Sequence, residues 1–423
     1  MAQKTKQWAA IIMMIALFAM IAFVTNLCSP MATIVKNQFG ASETAGQIGN
    51  YANFIAYLLM GIPSGMLISK FGYKKTALAA LVVGLVGLGF EYLSGQVGGN
   101  GAYWVYLLGA FISGMCMCML NTVVNPLLNV LGGGGKTGNQ LIQIGGAFNS
   151  AAAVAVYILM GALIGEVTKE TSIVDATPAL AIAAGIFVVA LVVLIFTKIE
   201  EPEQAPVQLN LITGALKFKH FALGALAIFL YMSVEVGTPT YMISYLQTPE
   251  IGVTAGVAAL IASVYWLMMF VGRTIGGAIG GKVSSRAMVS TVAAVAIVLL
   301  LFGIFAPSSI KVEVPGIDWA NLSVIWTPVP VGVFAFILVG LCTSVMWGGI
   351  FNMAVEGLGK YTAAASGIFM TMVFGCAVMV ALQAVVADHV GILVSYFIPV
   401  ACAAYILFYA LIGSKVKSSE EKE

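Results

Sequence analysis

The stretch GMLISKFGYKK, Gly65 to Lys75, closes a long apolar run with a small residue, a short helical segment and three lysines. Half a chain later GAIGGKVSSR, Gly277 to Arg286, closes another apolar run in the same way, with Lys282 and Arg286 as its basic residues. Two basic loops in matching places mean little in a soluble protein. In a chain that crosses a bilayer they mark the same loop of a duplicated bundle, because basic residues gather on the cytoplasmic side of spanning helices.

Composition supports the membrane reading. Of 423 residues, 61% are hydrophobic and 9% are charged. A soluble domain carries roughly a quarter charged residues, and this chain has too little polar surface to cover so much apolar mass. A net charge of +2 gives no reason to expect a nucleic-acid partner. The spacing of the six cysteines and two histidines matches no metal site, so no metal or cofactor is expected and the cysteines read as packing residues.

Outward from the two basic loops, apolar runs fall at 8–35, 47–68, 76–94, 103–131, 140–164, 177–197, 221–247, 254–281, 287–306, 326–358, 362–387 and 390–412. Each is long enough to cross roughly 30 Å of hydrocarbon at about 1.5 Å per residue. The first run extends past Val24 without a small-residue cleavage site, so it reads as a span and not a signal peptide. With the N-terminus inside, fifteen Lys and Arg residues are cytoplasmic. Only Lys36, Lys169 and Lys311 are outside, and Arg273 lies within a span. That asymmetry predicts both termini in the cytoplasm and a multi-pass protein of the inner, cytoplasmic membrane. The charged break from Lys198 to His220 divides six runs from six. It predicts a bundle over 1–198, a cytoplasmic linker over 199–220 and a second bundle over 221–423. The fold class is therefore all-α, with twelve transmembrane helices in two pseudo-symmetric six-helix bundles.

The halves echo each other elsewhere. Asn26 stands four residues before Pro30 in the first run, and Glu235 four before Pro239 in the seventh. The fourth run ends Asn125-x3-Asn129-x-Leu131-Gly132, and the tenth Asn352-x3-Glu356-x-Leu358-Gly359. Parallel six-helix repeats place a solute site between the halves near the midplane.

These features resemble the major facilitator superfamily over essentially the whole chain, and the fold expected is the one named for it. The loop after the second run is similar to that superfamily's Gly-x3-Asp-Arg-x-Gly-Arg-Lys signature, with Ser69 in place of the Asp, Lys70 for the first Arg and Tyr73 for the second; Gly72 and Lys74 keep the pattern. Within the superfamily the chain resembles the fucose/glucose–galactose permease branch. The matching stretches are Asn121-Thr-Val-Val-Asn125-Pro126, Phe148-Asn149-Ser150, Tyr57 with Ile62-Pro63-Ser64-Gly65, and Val271-Gly272-Arg273. The resemblance implies a sugar:proton symporter working by alternating access, about a site lined by the first, fourth, fifth, seventh, tenth and eleventh helices. That branch carries an Asp late in the first helix and a Glu just before the Thr of the fourth-helix motif. Here those positions hold Ser29 and Asn121, which cannot serve as proton carriers.

Glu235 is then the candidate for coupling to a proton, with sodium as the second candidate ion. An acid about fourteen residues into a span is costly unless paired, solvated or protonated, and is functional by default; the structural alternative is a hydrogen-bonded packing acid. Amides match sugar hydroxyls without bringing charge. Asn26, Asn121, Asn125, Gln143, Asn149 and Asn352, together with Trp347 as a stacking ring, are the expected solute contacts, against the bland reading of interhelical glue. Ser69, Lys70, Gly72, Lys74, Arg273 and Glu356 are expected to act in gating or structure, with Arg273 pairing with Glu356 or a helix end. Leu131-Gly-Gly-Gly-Gly-Lys136-Thr137 imitates a phosphate loop but lacks its first Gly and its preceding strand. A membrane enzyme or a non-transporting sensor would need a cluster of His, Asp or Glu at a membrane face, or an appended soluble domain, and the sequence carries neither. The partners expected are a small solute, a coupling ion and the lipid bilayer, with the chain acting as a monomer.

Overall fold

The computed structural model describes residues 7–39, 46, 48–97, 99–132, 135–164, 170–201, 213–279, 283–318, 323–358 and 361–416. Lys4, Lys6, Lys169, Lys282, Lys360, Lys417 and Lys422 of the charge count, and most of the linker, lie outside the described residues.

Where no water can bond the backbone, each apolar run must satisfy its own N–H and C=O groups, and a helix does so. Twelve helices among the described residues are long and apolar enough to cross a membrane. They are α1 (Trp8–Gln38), α2 (Ile48–Phe71), α3 (Tyr73–Gln96), α4 (Gly101–Leu128), α5 (Leu141–Ile164), α6 (Ile173–Phe196), α7 (Lys219–Leu246), α8 (Ala255–Ile279), α9 (Ser285–Phe305), α10 (Val331–Val355), α11 (Ala365–His389) and α12 (Ile392–Gly413). The most uniformly apolar, α6 and α9, sit at the periphery, whereas α1 and α4 are mostly enclosed by other helices.

The tenth run was expected from 326, but α10 starts at Val331. Residues Ser323–Pro330 form β2 and pair antiparallel with β1 (Lys311–Asp318), Lys311 opposite Pro330 and Asp318 opposite Ser323. Pro330 has no N–H to bond the carbonyl of Trp326 four residues back, so an extended hairpin takes the place of the expected first helical turn.

The repeat seen in the basic loops has a geometric basis. Lys74 Nζ donates to Ile195 O at 2.9 Å and Thr197 O at 2.8 Å, at the end of α6. Arg286 Nη2 donates to Ser414 O at 3.3 Å, just past the end of α12. In each half a basic side chain from the first turn of the third helix thus meets carbonyls at the end of the last helix. In the first bundle Glu201 completes the clamp: its carboxylate accepts from Tyr73 N at 2.8 Å and Lys74 N at 2.9 Å, at the positive N-terminus of α3. Gly72 leaves room for it, with φ 84 and ψ 171, a region open almost only to glycine; a Cβ there would also strike the Glu201 carboxylate. Gly72→Ala is therefore expected to cost about 1–3 kcal/mol and lower the melting temperature of the purified protein by a few degrees. An unchanged melting temperature would refute this role.

Across the interface, α5 packs against α8 and α2 against α11. Gly61 brings the backbone of α2 onto Thr371 of α11 so closely that a Cβ has no space. Helix α7 is interrupted by a π turn at Ser233–Gly237, just before Pro239. The proline cannot donate to the carbonyl four residues back, and side chains take up neighbouring carbonyls: Tyr265 Oη donates to Val234 O at 3.3 Å, Thr240 Oγ1 to Val236 O at 2.7 Å and Tyr396 Oη to Thr238 O at 2.8 Å. The turn is fixed on three sides, and it carries Glu235.

Candidate functional site

Between the bundles lies a cavity of about 120 Å3. From the first bundle, α1 contributes Asn26, α4 contributes Asn121 and Asn125, and α5 contributes Asn149. From the second, α7 contributes Glu235 and α10 Trp347, while α11 adds Met370 and Val373. Helices α2 and α8, not expected at the site, also reach it through Tyr57 and through Trp266 and Arg273.

The charged centre is an ion pair. Arg273 Nη2 lies 3.8 Å from Glu235 Oε1, the two side chains 11% and 12% exposed. The expected partner, Glu356, stands elsewhere: it is exposed at the end of α10, and its carbonyl meets His220 Nε2 at 2.8 Å. The other branch of the guanidinium crosses to the first bundle. Arg273 Nη1 donates to Gly146 O at 2.6 Å, Ser150 Oγ at 2.9 Å and Asn149 Oδ1 at 3.3 Å. Asn149 Nδ2 in turn donates to Phe18 O of α1 at 2.9 Å. One chain of contacts thus links α7, α8, α5 and α1, with Arg273 as its only formal cation. A long, rigid fork suits such bridging.

The amides are held in fixed senses. Asn26 Nδ2 donates to Ala22 O at 2.8 Å, Asn125 Nδ2 to Asn121 O at 3.0 Å and Asn121 Nδ2 to Tyr57 Oη at 2.9 Å. Trp347 lines the second bundle's wall, braced edge-on by Phe369 at 5.4 Å and by Tyr231 at 6.1 Å.

Two expected solute contacts are not at the cavity. Asn352 is exposed toward the end of α10. Gln143 packs across the interface beside Gly277 of α8 and Gly348 of α10. The loop residues are also remote. Lys74 and Gly72 belong to the clamp on α3, Lys70 is exposed with its ammonium 5.3 Å from the Phe71 ring, and Ser69 ends α2 beside them. The side chain of Ser29 lies outside the described residues. A buried acid was missed: Glu91 on α3 is 7% exposed and accepts from Ser113 Oγ of α4 at 2.8 Å. Its signal was an acid inside the run 76–94. No group of three or more metal-ligating side chains occurs among the described residues.

Comparison with known proteins agrees with this architecture. The family model described as Major Facilitator Superfamily matches residues 13–382. A glucose/galactose transporter of Brucella abortus biovar 1 (strain 9-941) is 28% identical over 407 residues, covering 94% of this chain and 92% of that protein. The L-fucose-proton symporter of Escherichia coli (strain K12) is 22% identical over 431 residues, covering 96% and 93%. A crystal structure of the E. coli fucose:proton symporter superposes with a TM-score of 0.73 at 20% identity, over 97% of this chain and all of that one. The last likeness concerns the fold.

Proposed function

This chain belongs to the major facilitator superfamily, and we propose that it carries a neutral hexose-type sugar across the inner membrane by alternating access, coupled to a proton through Glu235. The observation that carries this reading is the cavity itself. It lies between two repeats, its wall is amide and aromatic, and the arginine of its ion pair also bonds across to the first bundle. Amides hydrogen-bond hydroxyls without charge, and Trp347 offers a flat apolar face to a sugar ring. Relatives named for glucose, galactose and fucose point to the same solute class.

The basic loops face the cytoplasm in this reading, and the chain works as a monomer. Rocking of one bundle against the other exposes the site to each side in turn. The Arg273 contacts to α5 must break when the bundles part on the loop-bearing side. Glu235 then exchanges its salt bridge for a proton or releases one, which ties the ion to the movement.

Purified protein with glucose or galactose is expected to melt at higher temperature, because a ligand of the folded state stabilises it by about 2.7 kcal/mol at a hundredfold excess over Kd. Vesicles with an imposed pH gradient are expected to accumulate that sugar. A second reading, an uncoupled uniporter or exchanger, is favoured by Asn121, which stands at the cavity where the resembled branch is expected to carry an acid. Uptake that never exceeds equilibrium under any pH or sodium gradient would decide for it.

A further inference from the structure

Behind Glu235 three helices meet at one threonine. Thr343 of α10, Tyr231 of α7 and Tyr265 of α8 are all fully buried. Tyr231 Oη donates to Thr343 O at 3.2 Å. Tyr265 Oη lies 3.0 Å from Thr343 Oγ1 and 3.3 Å from Val234 O. Each hydroxyl has one hydrogen, so both contacts are made at once when Thr343 donates to Tyr265 and Tyr265 donates to Val234 O. The other acceptors within reach of Thr343 Oγ1, Val339 O and Gly340 O of its own helix, stand farther off at 3.3 and 3.2 Å. Gly340 keeps the set tight, since a Cβ there would strike Tyr265 O. The two tyrosines lead in different directions. Tyr265 reaches the π turn at Val234, the residue before Glu235. Tyr231 lies 6.1 Å, ring to ring, from Trp347, which lines the cavity about one turn along α10 from Thr343.

From this junction we infer that Thr343 is a positioning residue for coupling: it ties the aromatic wall that meets the solute to the turn that carries Glu235. The inference rests on the proton-coupled sugar reading and deepens it. Coupling needs an element with two arrangements that both sites bias, and the π turn is such an element. It holds one residue more than an α turn, and shifting that register by one residue turns Glu235 by about 100° relative to Arg273. Tyr265 bonds the carbonyl just before Glu235 and so favours the register in which acid and guanidinium face each other. A solute that fixes Trp347 steadies Tyr231, and Tyr231 shares Thr343 with Tyr265. Solute and acid then favour the same register, through two residues, Thr343 and Tyr265, that do not themselves line the cavity.

The test counts protons. Vesicles loaded with a pH-sensitive dye take up labelled glucose or galactose, and protons moved per solute are read together with the KM of exchange. The unmodified protein is expected to move one proton per solute. Thr343→Val keeps the shape and drops the hydroxyl, and Tyr265→Phe removes the bond to Val234 O. Each is expected to lower the ratio by about twofold or more while the exchange KM stays within about twofold. Thr343→Ser keeps the hydroxyl and is expected to keep the ratio. A residue that merely supported packing would slow transport or lower the melting temperature and leave the ratio at one, because a slow but tightly coupled carrier still moves one proton per turnover. If Thr343→Val does not fold, Tyr265→Phe and Thr343→Ser decide. Unchanged ratios in Thr343→Val and Tyr265→Phe would overturn the inference and leave coupled transport standing. A ratio that falls only together with a many-fold rise in KM would overturn it too, since the solute site itself would then be damaged. Failure of the unmodified protein to take up either sugar, or to move a proton with it, would instead remove the transport reading, and this inference with it.

Discussion

Glu235→Gln is expected to abolish accumulation of solute against its gradient while leaving exchange of labelled for unlabelled solute running. Glutamine keeps the size and hydrogen-bonding shape of the side chain and removes its capacity to carry a proton. Two units of pH gradient correspond to about 2.7 kcal/mol, an accumulation limit near a hundredfold for one proton per solute. The substitution should bring that ratio down to about one. Exchange does not require the proton to leave, so it tests whether the variant is folded and still binds. The position gives the expectation its force. Glu235 lies on the π turn of α7, lines the cavity and pairs across to α8. A π turn inside a helix often accompanies a functional group, and here three hydroxyls hold its loosened carbonyls in place. If the variant still concentrates solute under a pH gradient, the coupling acid is elsewhere. Glu91, buried against Ser113 and away from the cavity, is then the next residue to change.

Much of this arrangement could be read from the chain, and the failures have physical causes. Apolar runs bounded by basic loops are a property of single helices, so the twelve spans were legible. Asn26, Asn121, Asn125, Asn149, Trp347 and Glu235 were named as polar or aromatic residues inside spans, and all of them meet at the cavity. What a polar residue in a span does not reveal is the face it occupies. Asn352 follows Trp347 by five residues, which turns it about 140° around the helix and moves it about 7.5 Å along. If Trp347 faces the cavity, Asn352 faces away and near the end, and it is exposed. Gln143 precedes Asn149 by six residues and is likewise turned off the site, onto α8 and α10. The partner of Arg273 was illegible for another reason: pairs between helices follow no fixed offset, and nothing in the spacing prefers Glu235 over Glu356. Glu201 is similar. It stands more than a hundred residues from the helix it caps, and only the folded bundle brings it to Tyr73.

Removing the cation should be more damaging than removing the acid. Arg273→Gln leaves a carboxylate in the interior facing an amide, and strips Gly146 O and Ser150 Oγ of their shared donor. Breaking one side of a buried ion pair costs about 3–5 kcal/mol, because the remaining charge has lost its solvation without compensation. The variant is therefore expected to melt well below the unmodified protein and to lose transport altogether. Arg273→Lys should fall between the two. It restores the charge, but one ammonium cannot span a carboxylate on α7 and three oxygens on α5 as the planar fork does. The double variant Glu235→Gln, Arg273→Gln separates charge from shape. If the pair is coupled as its geometry indicates, removing both partners takes away the unpaired charge, and the double variant should be more stable than Arg273→Gln alone. Melting temperatures of the four proteins give the coupling directly. Simple addition of the two single effects would mean that the 3.8 Å contact is proximity without energetic consequence, and that Arg273 acts only as a brace between the bundles. A double variant that regains stability yet still moves no solute would instead assign the Arg273 fork a part in the rocking movement itself, beyond its pairing with Glu235.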